Sequence, residues 1–446
     1  MVFSSLSFIY IFLPLTLIAF FVTPKRKRYI PLLIFSILFY AWGDFKNLWL
    51  MLLVGLINWL FARLTVKFNT HKKPLCLTAV IITLILLLYF KYTALIVDIF
   101  SLNITPPALP IGISFYSFQA ISYTLDVLKG EHPPAKNPLY FLCYLTLFPQ
   151  LIAGPIVRYI DVKNSLVSPS PSLSFFGSGC RRFVCGLCKK VLIANQLGYY
   201  FTQLTNAGFG STAGALTAIF AYTLQIYYDF SGYSDMAIGL GRMFGLSFCE
   251  NFNYPYISRS ITEFWRRWHM SLSSWFRDYL YIPLGGSRRG TARTILNLFI
   301  VWLLTGLWHG ASLNFAAWGI YYFILLTLEK LVLGRFLKAH RPFAHFYTIT
   351  AVVFGWALFA FESLGELKTF LLALINVKAP LSAAAPFIPG ALVVIAIGAC
   401  GSLPWPRRLC HRRFKKLIPV FIALGLLLST AFIASGSYNP FLYFRF

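Results

Sequence analysis

The sequence predicts an all-α protein that crosses a membrane several times. Hydrophobic residues make up 58% of its 446 residues, and charged residues make up only 12%. Apolar runs recur from one end of the chain to the other, and a soluble protein of this size has no interior large enough to hide them. Because lipid leaves backbone groups no outside partner, runs of this length favour transmembrane helices.

The apolar runs are the expected helices. Eight come before residue 234, near residues 5–23, 29–42, 47–66, 75–100, 110–127, 138–157, 183–204 and 213–231. Six follow it, near residues 294–310, 312–333, 346–362, 367–377, 387–403 and 417–434. No basic residue precedes the first run, so we interpret it as a helix and not as a signal peptide. With no long linker or repeat, we predict one membrane domain over residues 1–446.

The region near residues 234–290 departs from this pattern. It is rich in Arg, Asn, Tyr and Pro, yet its aromatic residues are too dense for a solvated loop. We predict re-entrant or interfacial helices here, which are tolerated where protein or a water-filled cavity covers the backbone. Within it, Ser260 followed by Glu263 forms a capping box and predicts one helix running to about Tyr281.

Charge and cysteine content exclude two classes of function. The net charge of +26 is spread over short basic clusters between apolar runs, as the positive-inside rule predicts for cytoplasmic loops, so nucleic acid is not an expected partner. With residues 25–28 and 407–416 inside, both chain ends are expected outside the cytoplasm. The eight cysteines are scattered, and the one close pair, Cys185 and Cys188, is too weak a signal for a metal site. No metal or bound cofactor is predicted.

Two histidines stand out because an ionisable group is costly in an apolar chain. His309 ends an apolar run, and Trp302, Thr305 and Gly306 share its helix face. The small residues on that face leave room for a neighbouring helix or for a substrate passage. A histidine that only ties helices together is the alternative to a functional one.

His269 lies on the predicted helix of the re-entrant region. Helical spacing places it on one face with Trp265 and Trp268, and it places Arg266 on a neighbouring face. An interfacial helix with arginines at lipid headgroups explains this pattern as well as a functional histidine does.

Charged residues nearby suggest two further sites. The glycines of residues 285–290 free backbone amides for an anion such as a donor phosphate, and Arg288 and Arg289 add charge. An ordinary cytoplasmic loop explains them equally. Asp229 and Asp235 form a carboxylate pair suited to acid–base work. A structural role is the favoured alternative, in which they accept hydrogen bonds from unwound backbone or from the arginines at 266 and 267.

Several sequence blocks together resemble the membrane-bound O-acyltransferase (MBOAT) family, and most closely its bacterial alginate O-acetylase and peptidoglycan O-acetyltransferase branch. The resemblance is carried by residues 112–116, 153–155, 229–235, 265–269, 277–279 and 308–310. It implies a helical ring around a tunnel, with a family core over about residues 105–335. It also implies an inner-membrane protein that moves an acetyl group from a cytoplasmic donor, expected to be acetyl-CoA, toward an extracytoplasmic polysaccharide. A periplasmic acetyltransferase is the expected protein partner, and membrane lipid surrounds the chain.

The resemblance also implies roles for single residues. His309 matches the family's catalytic histidine and His269 a second, supporting one. A hydroxyl is a poor nucleophile until a base takes its proton, and a neutral histidine suits that task. The residues expected to bind substrate or donor are Trp265, Arg266, Arg267, Trp268, Asp229, Asp235, Asp278, Arg288, Arg289 and Trp308.

The aromatic tail of residues 439–446 adds Tyr443 as a candidate. It resembles the end of a small partner protein in teichoic-acid D-alanylation, where a terminal tyrosine acts as an acyl relay. We expect Tyr443 either to take the acetyl group with help from His309 or to anchor the tail at the membrane interface.

Other functions stay open at this point. A transporter or flippase for an envelope precursor would also use intramembrane histidines, but it predicts interrupted helices in two corresponding halves, and the irregular region occurs once. A scaffold would tolerate loss of His309. D-alanyl transfer to teichoic acid is a third alternative.

Overall fold

The computed structural model describes residues 2–152, 154–361, 363–376 and 383–436. Within these ranges the chain is helical and contains no β-strand, which confirms the predicted all-α class. Six of the described helices are long and apolar enough to cross a membrane: Leu48–Lys67, Asn69–Phe100, Gly290–His309, Leu313–Ala339, Arg341–Ala360 and Lys415–Ala434. A seventh span is possible if Ala385–Gly401 and Pro404–Cys410, bent by 72°, count as one.

The described structure divides into two compact units. The first comprises Met1–Phe183 and Tyr233–Glu250. Its helices are Phe8–Phe12, Leu13–Val22, Tyr29–Asp44, Leu48–Lys67, Lys72–Phe100, Ile113–Lys129, Pro138–Thr146, Phe148–Leu151, Tyr159–Val167 and most of Leu173–Cys188. The end of the long Thr212–Met243 helix also belongs to it.

A buried polar network ties three helices of the first unit together. The Asn58 side-chain amide donates to the Thr83 hydroxyl at 2.8 Å, and its oxygen accepts from the Thr124 hydroxyl at 2.8 Å. These residues lie on Leu48–Lys67, Lys72–Phe100 and Ile113–Lys129. Each buried polar atom of this amide thus finds a partner on another helix, which fixes how the three helices pack.

The second unit comprises Val184–Gly232 and Asn251–Phe446 and contains both candidate histidines. Its helices are Lys189–Ala194, Asn195–Asn206, the first part of Thr212–Met243, Ile261–Arg267, Met270–Phe276, Arg277–Tyr281, Gly290–His309, Leu313–Leu328, Glu329–Leu333, Gly334–Ala339, Arg341–Ala360, Leu364–Ile375, Ile388–Gly401, Pro404–Arg413 and Ile418–Ala434. The expected change of structure at residue 234 was misplaced, because the helix continues to Met243.

Close glycine contacts join two helices of the second unit. A Cβ at Gly306 would lie 2.2 Å from the carbonyl oxygen of Phe315, and one at Gly319 would lie 2.4 Å from that of Trp302. The space beside Gly306 therefore holds the backbone of Leu313–Leu328. Of the two uses suggested by the small residues, the structure shows the neighbouring helix.

Candidate active site

His309 is the last residue of the Gly290–His309 helix and is 5% exposed. Its imidazole lies edge-on to Trp318 and Phe359, with ring centroids 5.2 Å apart in each case. The preceding Trp308 ring lies 4.9 Å away. The structure thus places His309 in an aromatic, water-poor environment, as expected for an ionisable residue in an apolar run.

Trp318 belongs to a larger group of packed aromatic rings, which we call the tryptophan cluster. Its members are Trp265, Trp302, Trp318, Tyr322 and Trp356, and the centroids of neighbouring rings lie 4.9 to 6.5 Å apart. The indole N–H groups of Trp265 and Trp318 are buried and have no hydrogen-bond acceptor within the described part of the chain. An unsatisfied buried donor costs about 1–3 kcal/mol, so these groups favour a water or ligand that accepts from them.

The single helix predicted from Ser260 to about Tyr281 is wrong. The Ser260 hydroxyl does accept from the Glu263 amide at 2.9 Å, but the helix that it begins ends at Arg267. His269 then adopts φ 44°, in the left-handed region, and a second helix starts at Met270. The face that was predicted to unite Trp265, Trp268 and His269 is therefore interrupted between the last two.

Asn251 holds this break in place and was not identified from the sequence. Its side-chain oxygen lies 3.2 Å from His269 Nδ1 and accepts from the Ser271 amide at 3.2 Å and the Ser271 hydroxyl at 2.9 Å. Its main-chain oxygen accepts from the Met270 amide at 3.0 Å. One residue thus satisfies the first donors of the helix after His269, as a capping residue would.

His269 itself is 1% exposed and lies outside the helices long enough to span a membrane. Its ring lies edge-on to Phe230 at 4.6 Å and 6.1 Å from Trp308. Burial lowers the pKa of the His269 imidazole to about 3. The ring is therefore neutral at physiological pH, and both alternatives, a functional histidine and an interfacial helix with its aromatic face in protein, stay predictions.

The candidate arginines near His269 and in the glycine loop either contact neighbouring residues or are exposed. Arg267 pairs with Glu263 at 2.9 Å and donates to the Asn253 carbonyl, whereas Arg266 is exposed. Arg288 and Arg289 are exposed in the glycine loop, where Gly285 and Gly286 both have positive φ. The loop is held by Asn297, whose amide donates to the Gly286 carbonyl at 2.9 Å.

The candidate carboxylates make ion pairs that differ from the expected ones. Asp229 lies 2.5 Å from Lys190, Asp235 lies 2.6 Å from Arg182, and Asp278 lies 2.6 Å from the adjacent Arg277. The expectation that unwound backbone or Arg266 and Arg267 would hold Asp229 and Asp235 was wrong, because both lie on a continuous helix. The structural role of Asp229 and Asp235 stays a prediction, now with Lys190 and Arg182 as their partners.

Glu329 is a second residue that sequence reasoning missed. Its carboxylate accepts from the Ile261 amide at 2.5 Å, the Thr262 amide at 2.9 Å and the Thr262 hydroxyl at 2.7 Å. It thereby satisfies the start of the helix that carries Trp265. The rule that singled out the histidines, an ionisable residue in an apolar run, would have identified Glu329 as well. Tyr443 lies outside the described residues.

Comparison with known proteins identifies the family of the chain. Residues 32–365 match the sequence model of MBOAT, the membrane-bound O-acyltransferase family. The probable alginate O-acetylase AlgI of Pseudomonas putida is 43% identical over 381 residues, covering 82% of this chain and 78% of the relative. The peptidoglycan O-acetyltransferase of Helicobacter pylori is 31% identical over 414 residues, with 82% and 78% covered. The teichoic acid D-alanyltransferase of Bacillus subtilis is 28% identical and covers 56% of this chain.

Proposed function

Since the chain belongs to the membrane-bound O-acyltransferase family, and is therefore a multi-pass membrane acyltransferase, we propose that it moves an acetyl group across the bacterial inner membrane to an extracytoplasmic polysaccharide. The observation that carries the proposal is the position of His309, buried at a helix end among Trp308, Trp318 and Phe359. A neutral imidazole in such a place is suited to take a proton from a hydroxyl.

His309 is the general base of the proposed reaction. The acceptor hydroxyl attacks the carbonyl carbon of an acetyl thioester while His309 takes its proton. The carbon–sulfur bond then breaks, and the leaving thiolate takes the proton from His309. No metal or bound cofactor takes part in these steps, and acetyl-CoA is the proposed donor.

The donor is proposed to approach from the cytoplasmic side. Arg288 and Arg289 are exposed beside two glycines with positive φ, so guanidinium groups and backbone amides are both available to phosphates. Arg266 is exposed as well. The orientation with both chain ends outside the cytoplasm, which the basic clusters favour, puts this loop on the donor's side.

Tyr443 is proposed to relay the acetyl group. The phenol attacks the thioester as His309 removes its proton, the carbon–sulfur bond breaks, and the thiolate takes the proton from His309. A hydroxyl of a periplasmic transferase then takes the acetyl group, and its proton goes to the tyrosine oxygen, which regenerates the phenol. If Tyr443→Phe leaves glycan acetylation intact while His309→Ala abolishes it, the tail is an interface anchor and acetyl reaches the acceptor without the relay.

An alginate-type polysaccharide is the favoured acceptor. The alginate O-acetylase relative is 43% identical and the peptidoglycan O-acetyltransferase is 31% identical, each over 82% of the chain. D-alanyl transfer is disfavoured because that relative covers only 56%. A transporter or flippase is disfavoured by the family itself.

The decisive experiment deletes the gene and restores it as wild type, His309→Ala or His340→Ala. Ester-linked acetate is then measured on the purified exopolysaccharide and on peptidoglycan. We expect His309→Ala to abolish acetate on the exopolysaccharide and the exposed His340 control to restore it. Normal acetylation with His309→Ala, at equal protein level in the membrane, contradicts the proposed base.

A further inference from the structure

Asn251, His269 and Ser271 form a buried hydrogen-bonded cluster, in which the Asn251 side-chain oxygen makes the contacts. Asn251 is 1% exposed, His269 is 1% exposed and Ser271 is 4% exposed. The Asn251 oxygen faces His269 Nδ1 and both donors of Ser271 at 2.9 to 3.2 Å. Asn251 stands 18 residues before His269 in the chain, so the contact is a tertiary one.

The Ser271 amide decides which tautomer His269 adopts. A backbone N–H can only donate, so the Asn251 atom facing it is the carbonyl oxygen and not the amide nitrogen. The same oxygen faces His269 Nδ1, and two acceptors cannot bond to each other. His269 therefore carries its proton on Nδ1 and the lone pair on Nε2. Nε2 is buried and has no hydrogen-bond partner among the described residues.

The backbone of His269 depends on the same residue. A non-glycine residue at φ 44° is uncommon and persists where the surroundings fix it. Here the Asn251 carbonyl accepts from the Met270 amide, immediately after His269. Asn251 thus fixes the ring orientation, the tautomer and the main-chain conformation of His269.

We propose that Asn251 is a positioning residue that keeps the proton of His269 on Nδ1, so that Nε2 accepts a hydrogen bond from a second hydroxyl of the acyl acceptor, not the one whose proton His309 takes. The hydroxyl as ligand rests on the proposed function, while the tautomer does not. The rings against His269 are Phe230 and Trp308, neither of which titrates, and Trp308 leads directly to His309. Burial lowers the pKa of His269 to about 3, so the lone pair on Nε2 is kept at physiological pH.

The test is Asn251→Asp, with Asn253→Asp as the matched control. The new carboxylate still accepts from the same donors, but its charge raises the pKa of His269 by roughly 1–3 units. Below the raised pKa the ring becomes protonated and Nε2 no longer accepts. We expect kcat/KM of Asn251→Asp to fall between about pH 7 and about pH 5 relative to wild type, by about tenfold where the raised pKa reaches about 6 and by less where it stays lower. Asn253 is exposed and contacts Arg267 through its main chain, so its variant should follow the wild-type profile.

A purely structural role for Asn251 predicts a loss of activity that is the same at every pH, and that result overturns the proposal. Independently of activity, the ¹⁵N NMR spectrum of histidine-labelled protein in micelles, assigned with His269→Gln, should show Nδ1 protonated and Nε2 not. A proton on Nε2 also overturns it. The expected tautomer together with a fully active His309→Ala enzyme would refute the proposed function and leave the tautomer assignment standing.

Discussion

Lys190 Nζ lies 2.5 Å from Asp229 Oδ1, and the two side chains are 3% and 2% exposed. Asp229 stands on the Thr212–Met243 helix directly before Phe230, whose ring touches His269. The ion pair therefore lies on the same helix turn as the ring that contacts His269. Taking two charges out of water is costly, and the pair is tolerated because each charge neutralises the other.

Removing one member of this pair should be far more harmful than removing both. Asp229→Asn removes the carboxylate beside the buried Lys190 ammonium, and we expect a loss of about 3–5 kcal/mol in the free energy of unfolding. Asp229→Leu combined with Lys190→Met should recover most of it. Unfolding in detergent measures this, with Glu131→Gln as control because its pair with Lys129 is over a third exposed. Equal losses in the single and double variants would contradict the role of the pair.

Glu329→Gln should loosen the helix that leads to His269. The variant retains one oxygen where the carboxylate now accepts three hydrogen bonds from Ile261 and Thr262, and an unsatisfied buried donor costs about 1–3 kcal/mol. We expect faster amide hydrogen exchange at Ile261 and Thr262 and lower activity. Glu366→Gln, on an exposed helix start, is the control. Unchanged exchange at both amides would show that the helix holds without Glu329.

The sequence was sufficient to predict features set by local composition and insufficient for those set by distant partners. That His309 lies on a long apolar helix was predicted correctly, because an apolar run is visible in the sequence itself. The break at His269 was missed because Asn251, 18 residues earlier, imposes it. The partner of Asp235 was missed for the same reason, since Arg182 is 53 residues away. Helical spacing carries no information about such contacts.

Gly306→Ala should separate two helices that touch through their backbones. The added Cβ would lie 2.2 Å from the Phe315 carbonyl oxygen, and overpacking of this kind costs about 1–3 kcal/mol or more. Because Leu313–Leu328 carries Trp318, we also expect activity to fall. The melting temperature measures the first effect. Gly177→Ala, where a Cβ meets nothing within 4 Å, should be neutral or stabilising by up to about 1 kcal/mol.

His269 should make the protein less stable in acid. Its folded pKa of about 3 lies below the unfolded value of about 6.5. Below the unfolded value the unfolded chain binds a proton that the folded chain refuses, so stability falls with falling pH. From about pH 7.5 to about pH 5 this one group costs about 2 kcal/mol. His269→Gln should lose correspondingly less free energy of unfolding over that interval than wild type.

The exposed His340 provides the control for this pH dependence. His340→Gln changes an exposed side chain and should keep the wild-type difference in unfolding free energy between the two pH values. If His269→Gln and His340→Gln show the same difference as wild type, the folded protein protonates His269 as readily as the unfolded one. The Nε2 lone pair would then be lost in mild acid, and burial would not protect it.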